Sequence, residues 1–175
     1  MDKLCFSFLI TLFIFSPLAK TQESEFGQRF FATWDRAMAY TLEVAEAMPD
    51  SLYGYQPTEE VFSFREHLLH LEANMYSLGG RFVTGEPIEV TPGPSDLPKA
   101  ETIQRITAAM GYVDSLLRTL SDEELQEVAV GFWAPEPQSK AQIILLIRDH
   151  MTHHRAQMVL YLRMVGITPP RFRGW

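Results

Sequence analysis

The stretch DHMTHHRAQ, residues 149–157, places two histidines four positions apart in a segment with helical periodicity. At about 3.6 residues per turn, His150 and His154 lie one turn apart on the same face of a helix. Two imidazoles in this arrangement can bind one transition metal, provided that a third ligand comes from elsewhere in the chain. The alternative is a pair of hydrogen-bonded core histidines. The zinc-protease motif H-E-x-x-H is excluded, because Met151 occupies the position of its glutamate.

The composition indicates a single globular domain. The chain has 175 residues, of which 46% are hydrophobic and 12% are aromatic, which is enough material for a sizeable core. The formal net charge is -7, so the chain has no excess of basic residues to attract a polyanion. We therefore expect neither nucleic acid nor an anionic membrane as a partner.

Residues 1–21 are predicted to be a signal peptide. After a basic start, residues 4–15 are almost wholly apolar, which is too short a run to cross a bilayer comfortably. Small and polar residues follow, so cleavage is expected after Ala19 or after Thr21; an uncleaved N-terminal anchor is the alternative. We expect a periplasmic or secreted protein whose mature domain, residues 22–175, has no stable association with the membrane.

The only cysteine, Cys5, lies inside this apolar segment. The mature chain is therefore expected to have no thiol. It can neither form a disulfide nor use a cysteine as a nucleophile or as a metal ligand. The absence of thiols is compatible with an oxidising compartment.

Four amphipathic helices are predicted in the mature domain, because apolar residues recur there at steps of three and four. These stripes cover residues 25–48, 64–82, 103–120 and 144–165. Trp34 and Trp133 are both interpreted as core residues, and a pocket-lining role is the alternative for Trp133. Without convincing strand periodicity, the four stripes predict an all-α fold, a four-helix bundle whose inward-facing side chains can build a metal site.

Local signals mark the starts of the helices and their connections. Ser63, Ser121 and Ser139 are each followed three residues later by glutamate or glutamine, the pattern of a capping box. Residues 84–98 are rich in glycine and proline and predict a long crossover between the second and third helices. Residues 128–137 predict an extended or hairpin-like excursion before the last helix.

Two segments resemble the DinB superfamily, four-helix-bundle proteins that include metal-dependent hydrolases and metal-dependent thiol transferases. Residues 150–157, followed by YLRMVG and by Pro169 and Pro170, are similar to the family's last helix with its H-x-x-x-H-R-G-Q, although Ala156 replaces the usual glycine. Residues 62–73, FSFREHLLHLEA, resemble the family's second helix, in which the ligand histidine follows a glutamate by four positions. The resemblance implies a DinB-like bundle with up-down-down-up helix directions.

The resemblance also implies that His70, His150 and His154 bind one divalent metal, with waters completing the coordination shell. Three neutral imidazoles suit Zn, Ni, Co or Fe(II) without selecting among them, and an open coordination position is typical of a catalytic site. Periodicity and motif disagree about the third ligand. Periodicity places His67 nearer the centre of the apolar stripe, whereas the motif favours His70. We take His70, because the serine, glutamate and leucine around it then match the family's positions.

Three other polar residues accompany the histidine pair in the last helix. His153 lies roughly 100° of helical turn from His154 and is expected on the flank of the site or in contact with a ligand. Arg155 and Gln157 match the family motif, but the sequence gives no role for either.

The expected function is that of an exported metal-dependent hydrolase, in which the metal activates a water for attack on a small molecule. No general base is assigned, because Asp149 and Glu72 are expected to be surface acids. A non-catalytic metal-binding or small-ligand-binding protein of the cell envelope is the first alternative, and a structural bundle with satisfied core histidines is another. A metal-dependent thiol S-transferase is the alternative if the protein is cytosolic, because it needs a low-molecular-weight thiol. The resemblance implies a homodimer.

N-terminal sequencing of the expressed protein is expected to find a first residue at about position 20 to 22. The reason is that the apolar run is short and is followed by small and polar residues. An intact chain that begins at Met1 and is recovered in the membrane fraction would contradict this expectation.

Overall fold

The computed structural model describes residues 25–173, and almost all regular structure in that range is helical. Its α-helices are α1 Glu25–Ala47, α2 Phe64–Leu78, α3 Lys99–Thr119, α4 Asp122–Gln126 and α5 Lys140–Met164. A short 3-10 helix, Asp50–Leu52, follows α1. The predicted signal peptide and its cysteine lie outside the described residues. No helix between residues 25 and 173 combines the length and the apolarity that a membrane span requires.

The four long helices pack as a bundle, which confirms the predicted all-α fold. α2 packs against α3 and α5, and α1 packs against the same two helices, so α1 and α2 occupy opposite corners. The order of the helix directions stays a prediction. The core between the helices is apolar and includes the fully buried side chains of Trp34, Phe64, Leu68, Met110 and Met151. The site-bearing helices α2 and α5 are therefore neighbours.

Capping boxes begin three of the helices, as the sequence predicts. At the start of α2, the Ser63 side chain accepts a hydrogen bond from the amide of Glu66, and the Glu66 carboxylate accepts one from the Ser63 amide at 2.7 Å. The same reciprocal pair forms at Ser121 with Glu124 and at Ser139 with Gln142. Each pair satisfies amides that a helix start leaves without an intrahelical partner.

The chain does not leave the helical conformation at the end of α2. The chain continues as a π-helix, Gly79–Thr84, and leaves it at Gly85 with a φ of 80°. The returning loop packs directly onto this segment, and the amide of Glu86 donates to the carbonyl of Gly80 at 2.9 Å. The absence of a side chain at Gly80 makes this close approach possible.

The excursion before α5 is hairpin-like, as predicted. It is closed by one antiparallel bridge, and the amide of Ala129 donates to the carbonyl of Gln138 at 2.8 Å. The interpretation of Trp133 as a core residue is wrong, because its side chain is 80% exposed. The excursion packs against the bundle through Phe132, whose ring contacts that of Phe82. The Trp133 ring contacts only its neighbour Phe132 among the aromatic pairs of residues 25–173.

Gly80→Ala is expected to lower the free energy of unfolding by about 1–3 kcal/mol, the usual effect of overpacking. A Cβ atom at this position would lie 2.7 Å from the carbonyl oxygen of Glu86, which belongs to the backbone. Gly111→Ala is the matched control, because a Cβ atom at that exposed position of α3 meets nothing within 4 Å. It is expected to raise the free energy of unfolding by about 0.5–1 kcal/mol. Urea unfolding followed by circular dichroism measures both, and an unchanged midpoint for Gly80→Ala would refute the first expectation.

Candidate metal centre

Two neighbouring helices bring four histidines together. His67 and His70 lie nearly one turn apart in α2, and His150 and His154 lie one turn apart in α5. Because the two helices pack against each other, the imidazole rings meet between them. His67 and His154 are buried, whereas His70 and His150 are half-buried. The cluster therefore extends from the core of the bundle to its surface.

The three histidines that the sequence predicts as ligands converge. His70, His150 and His154 each offer one ring nitrogen, and these atoms lie within 4.8 Å of one another. Nε2 of His150 is 3.3 Å from Nε2 of His70 and 2.9 Å from Nε2 of His154. Metal–nitrogen bonds of about 2.0–2.1 Å hold adjacent ligand nitrogens roughly 3.0–3.4 Å apart. The spacing and the chemistry of the three imidazoles thus fit one divalent transition metal.

His67 lies on the opposite side of the His154 ring from the other two. Its Nδ1 is 2.8 Å from Nδ1 of His154, and its Nε2 is 3.3 Å from the hydroxyl of Tyr161. That hydroxyl in turn donates to the carbonyl of Phe62 at 3.0 Å. His67 is the most buried of the four histidines, with 1% of its surface exposed. Apolar periodicity therefore identifies His67, the more buried histidine of α2. The family motif identifies His70, which lies beside the histidine pair of α5.

Burial keeps the cluster uncharged. Desolvation, with smaller contributions from neighbouring imidazoles, lowers the pKa of His154 to about 3. Burial likewise lowers the pKa of His67 to about 4, and it lowers the pKa values of His70 and His150. At neutral pH all four rings are therefore neutral, which is the form in which an imidazole binds a metal.

Phe62 covers the cluster at its surface end. Its ring centroid lies 5.2 Å from that of His70 and 6.2 Å from that of His154, and the ring is nearly parallel to His154 with an interplanar angle of 25°. The Phe62 side chain is itself 43% exposed. Cavities of about 570, 210 and 520 Å³ lie elsewhere between residues 25 and 173, and none of these three is lined by the converging histidines.

The two carboxylates near the ligands in sequence both pair with arginines. Asp149 is exposed, as expected, and accepts from the Arg148 guanidinium at 2.8 Å. The expectation that Glu72 is a surface acid is wrong, because only 5% of its surface is exposed. Glu72 faces α3, where the N–H of Arg105 Nε donates to both of its carboxylate oxygens, at 2.8 and 2.9 Å. Neither acid is assigned as a general base.

Arg155, for which the sequence indicates no role, has one in the structure. Its buried guanidinium donates to the carbonyl of Ala37 at 3.2 Å and to the hydroxyl of Thr41 at 3.1 Å. It also lies 4.8 Å from the ring centroid of Tyr40, within range of a cation–π interaction. Arg155 therefore fastens α5 to α1, whereas the adjacent His154 faces α2. The family motif marks the position, but its partners on α1 are too far away in sequence to be inferred.

His153 lies on the exposed flank of α5. Its Nε2 is 2.9 Å from the side-chain nitrogen of Gln157, one turn further along the helix. Its ring also contacts the ring of His154, with the centroids 5.0 Å apart. The flanking position agrees with its place off the apolar stripe.

Comparison with known proteins identifies the family. Residues 33–158 match the family profile of the DinB superfamily. The chain belongs to the DinB superfamily. Its fold is similar to that of a DinB-like protein, YjoA, from Bacillus subtilis, with a TM-score of 0.66 and 18% identity over 82% of this chain and 96% of that one. A DinB-like protein from Bacillus cereus gives a TM-score of 0.64 and 17% identity over 83% and 97%. No curated protein matches the chain significantly.

The metal-free protein is expected to lose stability as the pH falls below about 6.5, the reference pKa of histidine. In the folded state the pKa values of His67 and His154 are lowered to about 4 and about 3. The unfolded chain therefore takes up protons first, and the stability lost grows until the pH passes these folded-state values. Urea unfolding in the presence of a chelator, at pH values from 7 to 5, measures the effect.

One variant serves as a control for this pH dependence. His67→Gln is expected to reduce it, because one buried titrating ring is removed. A midpoint that is constant over this pH range in the unmodified protein would contradict the expectation.

Proposed function

We propose that the protein binds one divalent transition metal through His70, His150 and His154 and uses it to hydrolyse a small molecule. The convergence of the three ring nitrogens is the observation that supports this proposal. Three protein ligands are typical of catalytic zinc sites, which keep a further position open for water. Zn, Ni, Co and Fe(II) all suit three neutral imidazoles.

The residues of the chain would serve this chemistry in distinct ways. A metal held by His70, His150 and His154 would lower the pKa of a bound water and so supply the nucleophile. His70 and His150 are half-buried, so a substrate has access to the site from that side. The exposed ring of Phe62, which lies over His70 and His154, offers an apolar contact to the substrate. The substrate class that fits best is therefore a small ester or amide with an apolar group.

Replacement of any one of the three proposed ligands by alanine is expected to abolish stoichiometric metal binding, because two imidazoles alone hold a divalent metal weakly. Elemental analysis of protein purified without chelator, followed by calorimetric titration with Zn(II) or Co(II), measures it. His153→Ala is the matched control, since it removes an exposed histidine from the same helix. Retention of the metal by all three ligand variants, with their helix content intact, would refute the proposed site.

The same samples test the reaction. Metal-loaded protein is expected to cleave ester or amide substrates, to lose this activity on chelation and to regain it when metal is restored. His154→Ala is expected to show only the rate of the metal-free protein. A screen that includes thiol conjugates distinguishes hydrolysis from thiol transfer.

A non-catalytic metal-binding or small-ligand-binding protein is the second candidate. One observation favours it: the three cavities described above lie away from the histidines. A catalytic site normally has a concave pocket beside its reactive group. Stoichiometric metal binding without turnover on any substrate class would favour this candidate over the hydrolase.

We further propose that the protein acts in the periplasm or outside the cell, and that it forms a homodimer. The first proposal is supported by the apolar run at residues 4–15, and the second by membership of the DinB superfamily alone. Export would separate the protein from the cytosolic thiol pool. Thiol transfer would therefore become the favoured reaction only for a protein that is retained in the cytosol.

A further inference from the structure

We propose that His67 is a positioning residue, which holds His154 in the tautomer whose Nε2 is free to bind a metal. The proposal rests on the metal site proposed above and explains why a second histidine lies buried in α2. It concerns a chain of hydrogen bonds that runs from Phe62 through Tyr161 and His67 to His154.

The chain begins at a group that can only accept. The carbonyl oxygen of Phe62 has no proton, so the hydroxyl of Tyr161, 3.0 Å away, must donate its single proton to it. The Tyr161 oxygen then has only lone pairs left for Nε2 of His67, which lies 3.3 Å away. The proton of the His67 ring is therefore on Nε2, where it can be donated to Tyr161.

The direction of the hydrogen bond from His67 to Tyr161 determines the direction of the hydrogen bond between His67 and His154. A neutral imidazole has one N–H group, and its other nitrogen accepts. Since Nε2 of His67 has the proton, its Nδ1 is an acceptor, and Nδ1 of His154 must donate to it across 2.8 Å. Nε2 of His154 is then left with a lone pair among the three converging nitrogens. The opposite direction would place two lone pairs face to face between His67 and Tyr161.

Burial protects the hydrogen bonds that select the tautomer of His154. Tyr161 and His67 are 3% and 1% exposed, so water does not readily replace either bond. A second partner that fixes the outer nitrogen of a metal-binding histidine typically raises metal affinity by about 10–100-fold. In contrast, Nδ1 of His150 is buried without a hydrogen-bond partner among residues 25–173. His154 is therefore the α5 ligand whose tautomer is set in advance.

The first test measures the tautomer in chelator-treated protein above about pH 7.5, where imidazole is neutral. The NMR shifts of the ring nitrogens are expected to show the proton of His154 on Nδ1 and that of His67 on Nε2. In His67→Leu, His154 is expected to shift to the Nε2–H form. A proton on Nε2 of His154 in the unmodified protein, or no change in His67→Leu, would overturn the proposal. Because no metal is present, this result is independent of whether the protein binds one.

The second test compares Zn(II) affinity. His67→Leu is expected to weaken it by about 10–100-fold. His67→Gln is expected to recover most of the loss, because its amide can accept from His154 while donating to Tyr161. Equal affinity in the unmodified protein and in His67→Leu would overturn the positioning role. Failure of the unmodified protein to bind Zn(II) would instead refute the proposed metal site.

A third variant covers the case in which His67→Leu does not fold. Tyr161→Phe removes only the hydroxyl, so that Nε2 of His67 loses its acceptor. Both tautomers of His67 are then accessible, and His154 is expected to show a mixture of its two forms. A single Nδ1–H form of His154 in Tyr161→Phe would show that the chain of hydrogen bonds does not set the tautomer.

Discussion

The burial of imidazole rings between α2 and α5 is the constraint on which the site depends. A buried polar nitrogen without a hydrogen-bond partner costs about 1–3 kcal/mol. The packing of the two helices is therefore most stable where the imidazole rings form hydrogen bonds with one another. Both ring nitrogens of His67 have hydrogen-bond partners, Nε2 in Tyr161 and Nδ1 in His154. Nε2 of His150 lies at hydrogen-bond distance from Nε2 of both His70 and His154, and a shared cation is a further partner that suits three such nitrogens. Helix packing and the candidate metal site thus depend on the same contact between α2 and α5.

A single turn of α5 joins three of the four long helices. His154 faces α2, and the next residue, Arg155, reaches α1 through Ala37 and Thr41. The guanidinium is buried against neutral acceptors and the ring of Tyr40 rather than against a carboxylate. Burial accordingly lowers its pKa from the usual value. The free-energy cost of burying this charge is consistent with a positioning role for Arg155. Its hydrogen bonds hold the turn of α5 that contains the predicted ligands against α1.

Most of the fold could be predicted because its signals are local. Apolar periodicity and the serine capping boxes depend on residues within one or two turns, and they place the starts of α2 and α5 correctly. The exposure of Trp133 and the burial of Glu72 could not be predicted in this way. Glu72 is buried because Arg105, 33 positions away, pairs with it. Trp133 is exposed because it lies near the tip of the excursion, where its neighbour Phe132 packs against Phe82 and the core instead.

The site shows the same division between local and distant information. Periodicity gives the angle of a residue about its own helix, so it correctly selected His67 as the more buried histidine of α2. It gives no position relative to a neighbouring helix, and the family motif was needed to place His70 beside His150. The partner that gives His67 a separate role, Tyr161, lies 94 positions away. No local pattern contains that contact.

The capping boxes set the residues at which α2 and α5 begin. The number of residues between each cap and its predicted ligand therefore matters as much as the histidine itself. His70 follows Ser63 by 70 − 63 = 7 positions, and His150 follows Ser139 by 150 − 139 = 11. Each residue of a helix adds about 1.5 Å of rise and about 100° of rotation. Loss of one residue inside either segment would keep the cap and the helix but turn the ligand towards a different neighbour. Length variation is therefore compatible with the site in the connecting loops and incompatible with it between a cap and its histidine.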